Sequence, residues 1–419
     1  MKKIFPIIIL TIISLFLVFY RFAYIPKYLA FDEVEFAKLA LSLENKPYIA
    51  YSSLATGHST LYFYILLASL KIFGINVFAL RFPAAIFGIL SVTIFYLIMK
   101  KVFKQWNNEA IKQWFPFFLT LILLSSRWFL NFSRFSFEAT FLLFLELVSI
   151  YFLISKKNLF FSGLFAGLAF LSYTPGRIFF LLPLSFLVFQ LVNSLTRKQF
   201  SDKTVKHLLY FIISFIIIIS PLTTYFLKNK DTRIDQQFFL RNHEMTINEK
   251  AVGLWNNISS TTLMFFAKGD MNGRHNYPGK PALNPILGIL FILGLINSIK
   301  NWKKSYNLFA VGYFLLAVFP ALMTYPWENP NMLRTYTVLP SVIYFIGNAI
   351  IILETAASKI LKNKMKSPEY LILYILYFIL IFSSFYELRT YFKYQSVVFT
   401  HSFQIKLPLE KAIKVKILP

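Results

Sequence analysis

The chain is 419 residues long, 57% hydrophobic and 19% aromatic, with no cysteine and a mean hydropathy of +0.60. This apolar share exceeds that of a soluble domain and predicts an all-α polytopic membrane protein, while the missing thiols exclude disulfides, thiolate catalysis and thiolate metal sites. The formal net charge is +25, from 43 Lys and Arg against 18 Asp and Glu, but the basic residues sit in short clusters between apolar runs, so membrane lipids rather than nucleic acid are the expected partners.

The opening "MKKIFPIIILTIISLFLVFYRF" has a long apolar run with no small-residue cleavage site after it, which predicts a retained first span over 4–24. Further crossings are expected at 78–99, 114–131, 138–154, 159–174, 178–194, 208–227, 284–299, 307–325, 334–354 and 368–387, each near the roughly 17 to 25 residues a spanning helix needs. "STLYFYILLASLKIFG" at 59–74 is short and contains Lys71. It is read as an interfacial or re-entrant helix, paired in the first outer loop with a second helix that starts at "FDEVEF". With that assignment the clusters "KKVFK", "SKKN", "TRKQFSDKTVK", "KNWKK" and "SKILKNKMK" all fall inside under the positive-inside rule. The expected architecture is a bundle of about eleven transmembrane helices. Residues 1–387 form the membrane domain, with the N-terminus cytoplasmic, and 388–419 form a short extracytoplasmic tail.

The outer face then receives loops 25–77, 131–138, 173–177, 228–283 and 325–334. Carboxylates, His, Arg and Asn gather there. Asp32 and Glu33 open a helical pattern whose apolar stripe includes Val34, Ala37 and Leu41. An acidic N-cap and first turn suit a helix, yet a carboxylate at a water-lipid boundary can also take a proton from a hydroxyl. His58 in "ATGHSTLY" is a surface imidazole or a donor to phosphate. Arg134 and Glu138 are spaced for a helical ion pair, and Glu146 lies two turns deeper on the same face, where a carboxyl suggests function or a supporting hydrogen bond. In "KGDMNGRHNYPGKPALNP", Arg274, His275 and Asn276 suit a phosphate or sugar hydroxyls, and "WENPNMLR" repeats the theme with Glu328, Asn331 and Arg334. No nucleotide loop, dinucleotide fingerprint, zincin or nucleophile-elbow motif occurs, so a substrate delivered through the lipid is expected.

The ordered set, from the acidic pair through "GHSTLYFYILLASLKIFGINVFALRFPAAIFGIL", "SRFSFEAT" and "RHNYPGKPALNPILGILFILGL" to "ENPNMLRTYTVLP", resembles the bacterial branch of the C-type (GT-C) membrane glycosyltransferases. That branch is related to the protein O-mannosyltransferases and lipid A aminoarabinose transferases. The resemblance spans about residues 4–350. It implies inverting transfer of a sugar from a polyprenyl-phosphate carrier to a protein, lipid or glycan hydroxyl at the extracytoplasmic face of the plasma (inner) membrane. Asp32 matches the family's catalytic acidic position, and Glu138 matches a second acidic position where Asp is more usual. "GHST" stands where His or Lys followed by prolines is common. Donor phosphate and sugar contacts are then expected from His58, Arg134, Arg274, His275, Asn276, Glu328 and Arg334, with Glu33 and Glu146 secondary. No cofactor is expected, although an acidic pair with Glu138 is able to hold a divalent ion. The alternatives are a transporter or flippase of a lipid-linked glycan, whose polar cavity binds without reacting, and a structural scaffold.

Overall fold

Asparagine and threonine side chains start several of the helices. The computed structural model describes residues 4–105, 109–155, 158–196, 202–361 and 368–415. The first helices are α1 (Phe5–Phe19), α2 (Phe31–Ser42), α3 (Leu61–Phe73) and α4 (Val77–Val102). Asn76 begins α4 by accepting the Ala79 amide at 2.9 Å, satisfying one of the orphan donors of a helix start. Then come α5 (Glu109–Ser125), the short α6 (Arg127–Phe132), α7 (Glu138–Ser155), α8 (Leu159–Ser172), α9 (Leu181–Thr196) and α10 (Asp202–Lys228). After α11 (Thr232–Gln237), α12 (Ile247–Met264) opens with a Thr246/Glu249 capping box. The fold continues through α13 (Pro285–Lys300), α14 (Ser305–Leu322), α15 (Leu339–Leu361) and α16 (Pro368–Arg389). Among the described residues one small sheet pairs β1 (Tyr51–Ser52) antiparallel with β2 (His58–Ser59).

Among the described residues seven segments are long and apolar enough to cross a bilayer, and shorter apolar helices lie at the other expected spans, in α1, α5, α8 and α13, as well as at α3. The helix expected to lie at the interface, α3, has 13 residues, about 20 Å of helix against a hydrocarbon core of about 30 Å. It ends at Gly74 with φ of +81°, and its Lys71 pairs with Glu44 at 2.9 Å. Its partner α2 is enclosed by protein rather than laid on lipid. Val34, Phe36, Ala37, Leu39 and Ala40 are all buried, and Phe36 packs edge-on against Phe63 of α3.

Small residues let the bundle close. At Gly294 of α13 an added Cβ would stand 1.7 Å from the Phe345 carbonyl oxygen of α15, and at Gly163 of α8 it would stand 2.2 Å from the Phe211 carbonyl oxygen of α10. Such close backbone approach substitutes for a hydrophobic drive between helices that lipid does not provide.

The stretch after Arg389, expected as a tail, stays helical. A π-helical segment, Thr390–Gln395, joins α16 to α17 (Ser396–Ser402) in one apolar run over Tyr370–Ser402. Phe399, Phe403, Leu409 and Ala412 are buried. Leu29 and Ile405 exchange two backbone hydrogen bonds of 3.1 Å, so this segment closes on the entry to α2.

Candidate active site

The helix-start bond at α2 comes from Glu33. Its Oε2 accepts the Ala30 amide at 3.1 Å, while Oε1 accepts the Ser136 amide at 3.1 Å and the Arg81 Nε at 2.8 Å. Arg81 completes its valences on the Glu33 Oε2 at 2.9 Å and on the carbonyls of Pro26 and Tyr28. Glu33 and Arg81 are wholly buried, and a charge in such a place is tolerable only when paired and bonded. Asp32 makes no cap. Its side chain turns into a cavity of about 530 Å³ and pairs there with Arg274 Nη1 at 2.5 Å.

That cavity draws its walls from distant parts of the chain: the end of the β1–β2 hairpin, Tyr173 after α8, α11, the 270–275 loop and the 327–334 loop. His58 contributes from β2. Its Nδ1 stands 2.5 Å from Glu138 Oε1, and Nε2 stands 2.9 Å from the Ala55 carbonyl. Arg233 from α11 lies against the same imidazole and donates to the Gly57 carbonyl at 3.2 Å. Burial, and then the Arg233 charge, hold the His58 pKa below 6.5 against the pull of Glu138. The hairpin turn carries positive φ at Ala55, Thr56 and Gly57, and only Gly57 does so without steric cost.

The 268–284 loop is equally braced. Asp270 Oδ2 accepts the Met332 amide at 2.8 Å and lies 2.9 Å from His275 Nδ1, while Oδ1 accepts the Asn272 amide at 2.7 Å. His275 is thus fixed at one nitrogen as it lines the cavity. Asn276 does not reach the cavity. It donates to the carbonyls of Asp270 and Lys280 and accepts from Arg127 Nε at 3.2 Å. Arg127 in turn pairs with Glu387 of α16 at 2.6 Å.

Of the residues singled out in the sequence, Asp32, His58, Arg274, His275, Glu328, Asn331 and Arg334 line one cavity, Glu328 and Arg334 paired with each other. Glu138 is buried behind His58 and acts on it. Arg134 lies elsewhere, fully buried, donating to the carbonyls of Leu17, Val18, Tyr20 and Ile25 at the end of α1, where a cation complements the helix dipole. Glu146 accepts the Tyr313 hydroxyl at 2.6 Å inside the bundle. Arg233, Asp270, Tyr173 and Arg81 were not anticipated. Arg81 had a visible signal as a lone cation in an apolar run, whereas Arg233 sits in a long segment with no periodicity to mark it.

A second, mainly apolar groove of about 290 Å³ runs beside the cavity, with Ile178, Phe319, Pro320 and Met323 among its walls. Tyr173, Arg233, Gln237 and Arg334 belong to both.

The fold is shared with solved membrane proteins of low sequence identity. ArnT from Cupriavidus metallidurans bound to undecaprenyl phosphate superposes with a TM-score of 0.55 at 12% identity, over 97% of this chain and 77% of that one. The archaeal oligosaccharyltransferase AglB from Archaeoglobus fulgidus, in complex with an inhibitory peptide and a dolichol-phosphate, gives a TM-score of 0.53 at 14% identity, over 96% of this chain and 56% of that one. In sequence, residues 57–225 match the family of dolichyl-phosphate-mannose-protein mannosyltransferases. No curated protein matches the chain in sequence.

Proposed function

We propose that this protein is an inverting glycosyltransferase that moves a sugar from a polyprenyl-phosphate carrier to an acceptor hydroxyl at the extracytoplasmic face of the membrane. The carrying observation is the junction of the two cavities. A sugar and its phosphate need a polar, charged chamber, and the polyprenyl chain needs an apolar one. Here they share a wall bearing two arginines, Arg233 and Arg334, and guanidinium groups are the fitting donors for a phosphate. Arg233 Nε is buried and has no partner among the described residues, so a donor is already free at that wall.

The chemistry follows from placement. Asp32 takes the proton of the acceptor hydroxyl as its oxygen bonds to the anomeric carbon. The bond from that carbon to the phosphate oxygen breaks, and its electron pair leaves with the phosphate. Charge that develops on the departing group is met by Arg233 and Arg334. Arg274 orients the Asp32 carboxylate through their ion pair, and Glu138 fixes His58 beside Arg233.

The test supplies purified protein in liposomes with radiolabelled polyprenyl-phosphate sugars and native membrane acceptors. Label is expected to move from one donor class to an acceptor. If donor binds and crosses the bilayer but no label is transferred from any of them, the protein is a carrier of the glycan instead.

A further inference from the structure

At the far end of α14 from the active-site cavity, about 27 Å along that 18-residue helix, lies another chamber of about 510 Å³. This is the size range of small-molecule sites. Its rim carries Lys303 and Lys304, both exposed, and neither has an acidic partner among the described residues. Among the described residues no carboxylate lines the chamber.

The floor is polar and preformed. Asn307 is 3% exposed and its Oδ1 accepts the Tyr344 hydroxyl at 2.6 Å and Asn348 Nδ2 at 3.3 Å. The same Asn348 Nδ2 donates to Ser298 Oγ at 2.8 Å. Asn348 Oδ1 takes part in none of these bonds and is an acceptor to spare. The side walls, Val102 and Ile351, are apolar, and beside them Leu308 and Ile352 turn exposed faces outward. One chamber therefore offers cations at its mouth, a hydrogen-bonding floor and an apolar flank on the surface that lipid covers.

We propose that this chamber binds the phosphodiester headgroup of an anionic phospholipid, with the lysines on the phosphate, Asn348 on a headgroup hydroxyl and the acyl chains along Leu308 and Ile352. Basic recesses between membrane helices suit such headgroups, and each lysine near an anionic surface adds attraction. The site is separate from the sugar-transfer chamber and stands independently of that reading.

The experiment is native mass spectrometry of the full chain in phosphatidylcholine nanodiscs, titrated with phosphatidylglycerol. One phosphatidylglycerol is expected to be retained per protein in preference to phosphatidylcholine. Retention is expected to fall about tenfold in Lys303→Gln/Lys304→Gln, as for loss of two charge-assisted contacts, and to survive excess inorganic phosphate or glycerol 3-phosphate. Equal retention of the two lipids, or equal retention by the double variant with an unchanged melting temperature, overturns the proposal. Displacement of the lipid by inorganic phosphate assigns the chamber to a free anion and overturns the lipid as its ligand.

Discussion

At Asp32, exchange of the carboxylate for the isosteric amide removes a proton acceptor and leaves the helix start intact, because the start is bonded by Glu33. Asp32→Asn is expected to lower the rate of sugar transfer by at least about a hundredfold with an unchanged melting temperature. Full activity in that variant removes Asp32 from the mechanism. His58 has a different signature. Its folded pKa lies below 6.5, so the unfolded chain binds the proton more readily. The stability His58 contributes is complete above that value and is lost as pH falls through it towards the folded pKa. From about pH 7.5 to about pH 5.5 the wild type should lose more thermal stability than His58→Gln, which scanning calorimetry in detergent will show. Arg233→Ala and Arg334→Ala are expected to raise KM for the lipid donor, since each removes a guanidinium from the shared wall.

Between elements, backbone contact sets the tolerance. Gly294→Ala drives a methyl group into the Phe345 carbonyl and is expected to lower the melting temperature by several degrees. Gly288→Ala on the same helix meets only Phe266, at 3.7 Å, and should be silent. Arg81→Met leaves the buried Glu33 charge without its cation, held only by the Ala30 and Ser136 amides, with an expected cost of about 3–5 kcal/mol, readable as lost folded protein in detergent. Seven of the expected spans are long and apolar enough in the structure to cross, and they were legible because length and hydropathy decide what crosses. The cap of α2 was less so. Local rules favour either Asp32 or Glu33 at a helix start, and only the distant Arg81 and the Ser136 amide fix Glu33 inward. Likewise "SRFSFE" suggests a helical ion pair, but α7 begins only at Glu138 and Arg134 finds richer acceptors in the carbonyls of α1.

For the whole molecule, the order of motifs along the sequence foretold which loops meet, since Asp32, His58, Arg274, His275, Glu328 and Arg334 share one cavity. Arg233 and the apolar groove escaped notice because a cavity wall is made by packing, which periodicity does not encode. The closure of Ile405 on Leu29, two residues before the helix that bears Asp32, also has a temporal side. The two strands of that bridge leave the ribosome far apart, and at about 5–20 residues per second their synthesis is separated by tens of seconds. The first helices can enter the membrane early, but the segment that carries Asp32 lacks its flanking partner until residue 405 has been made. The walls around Asp32 are therefore expected to settle only once residue 405 has joined them, a step that waits on the insertion of the helices between.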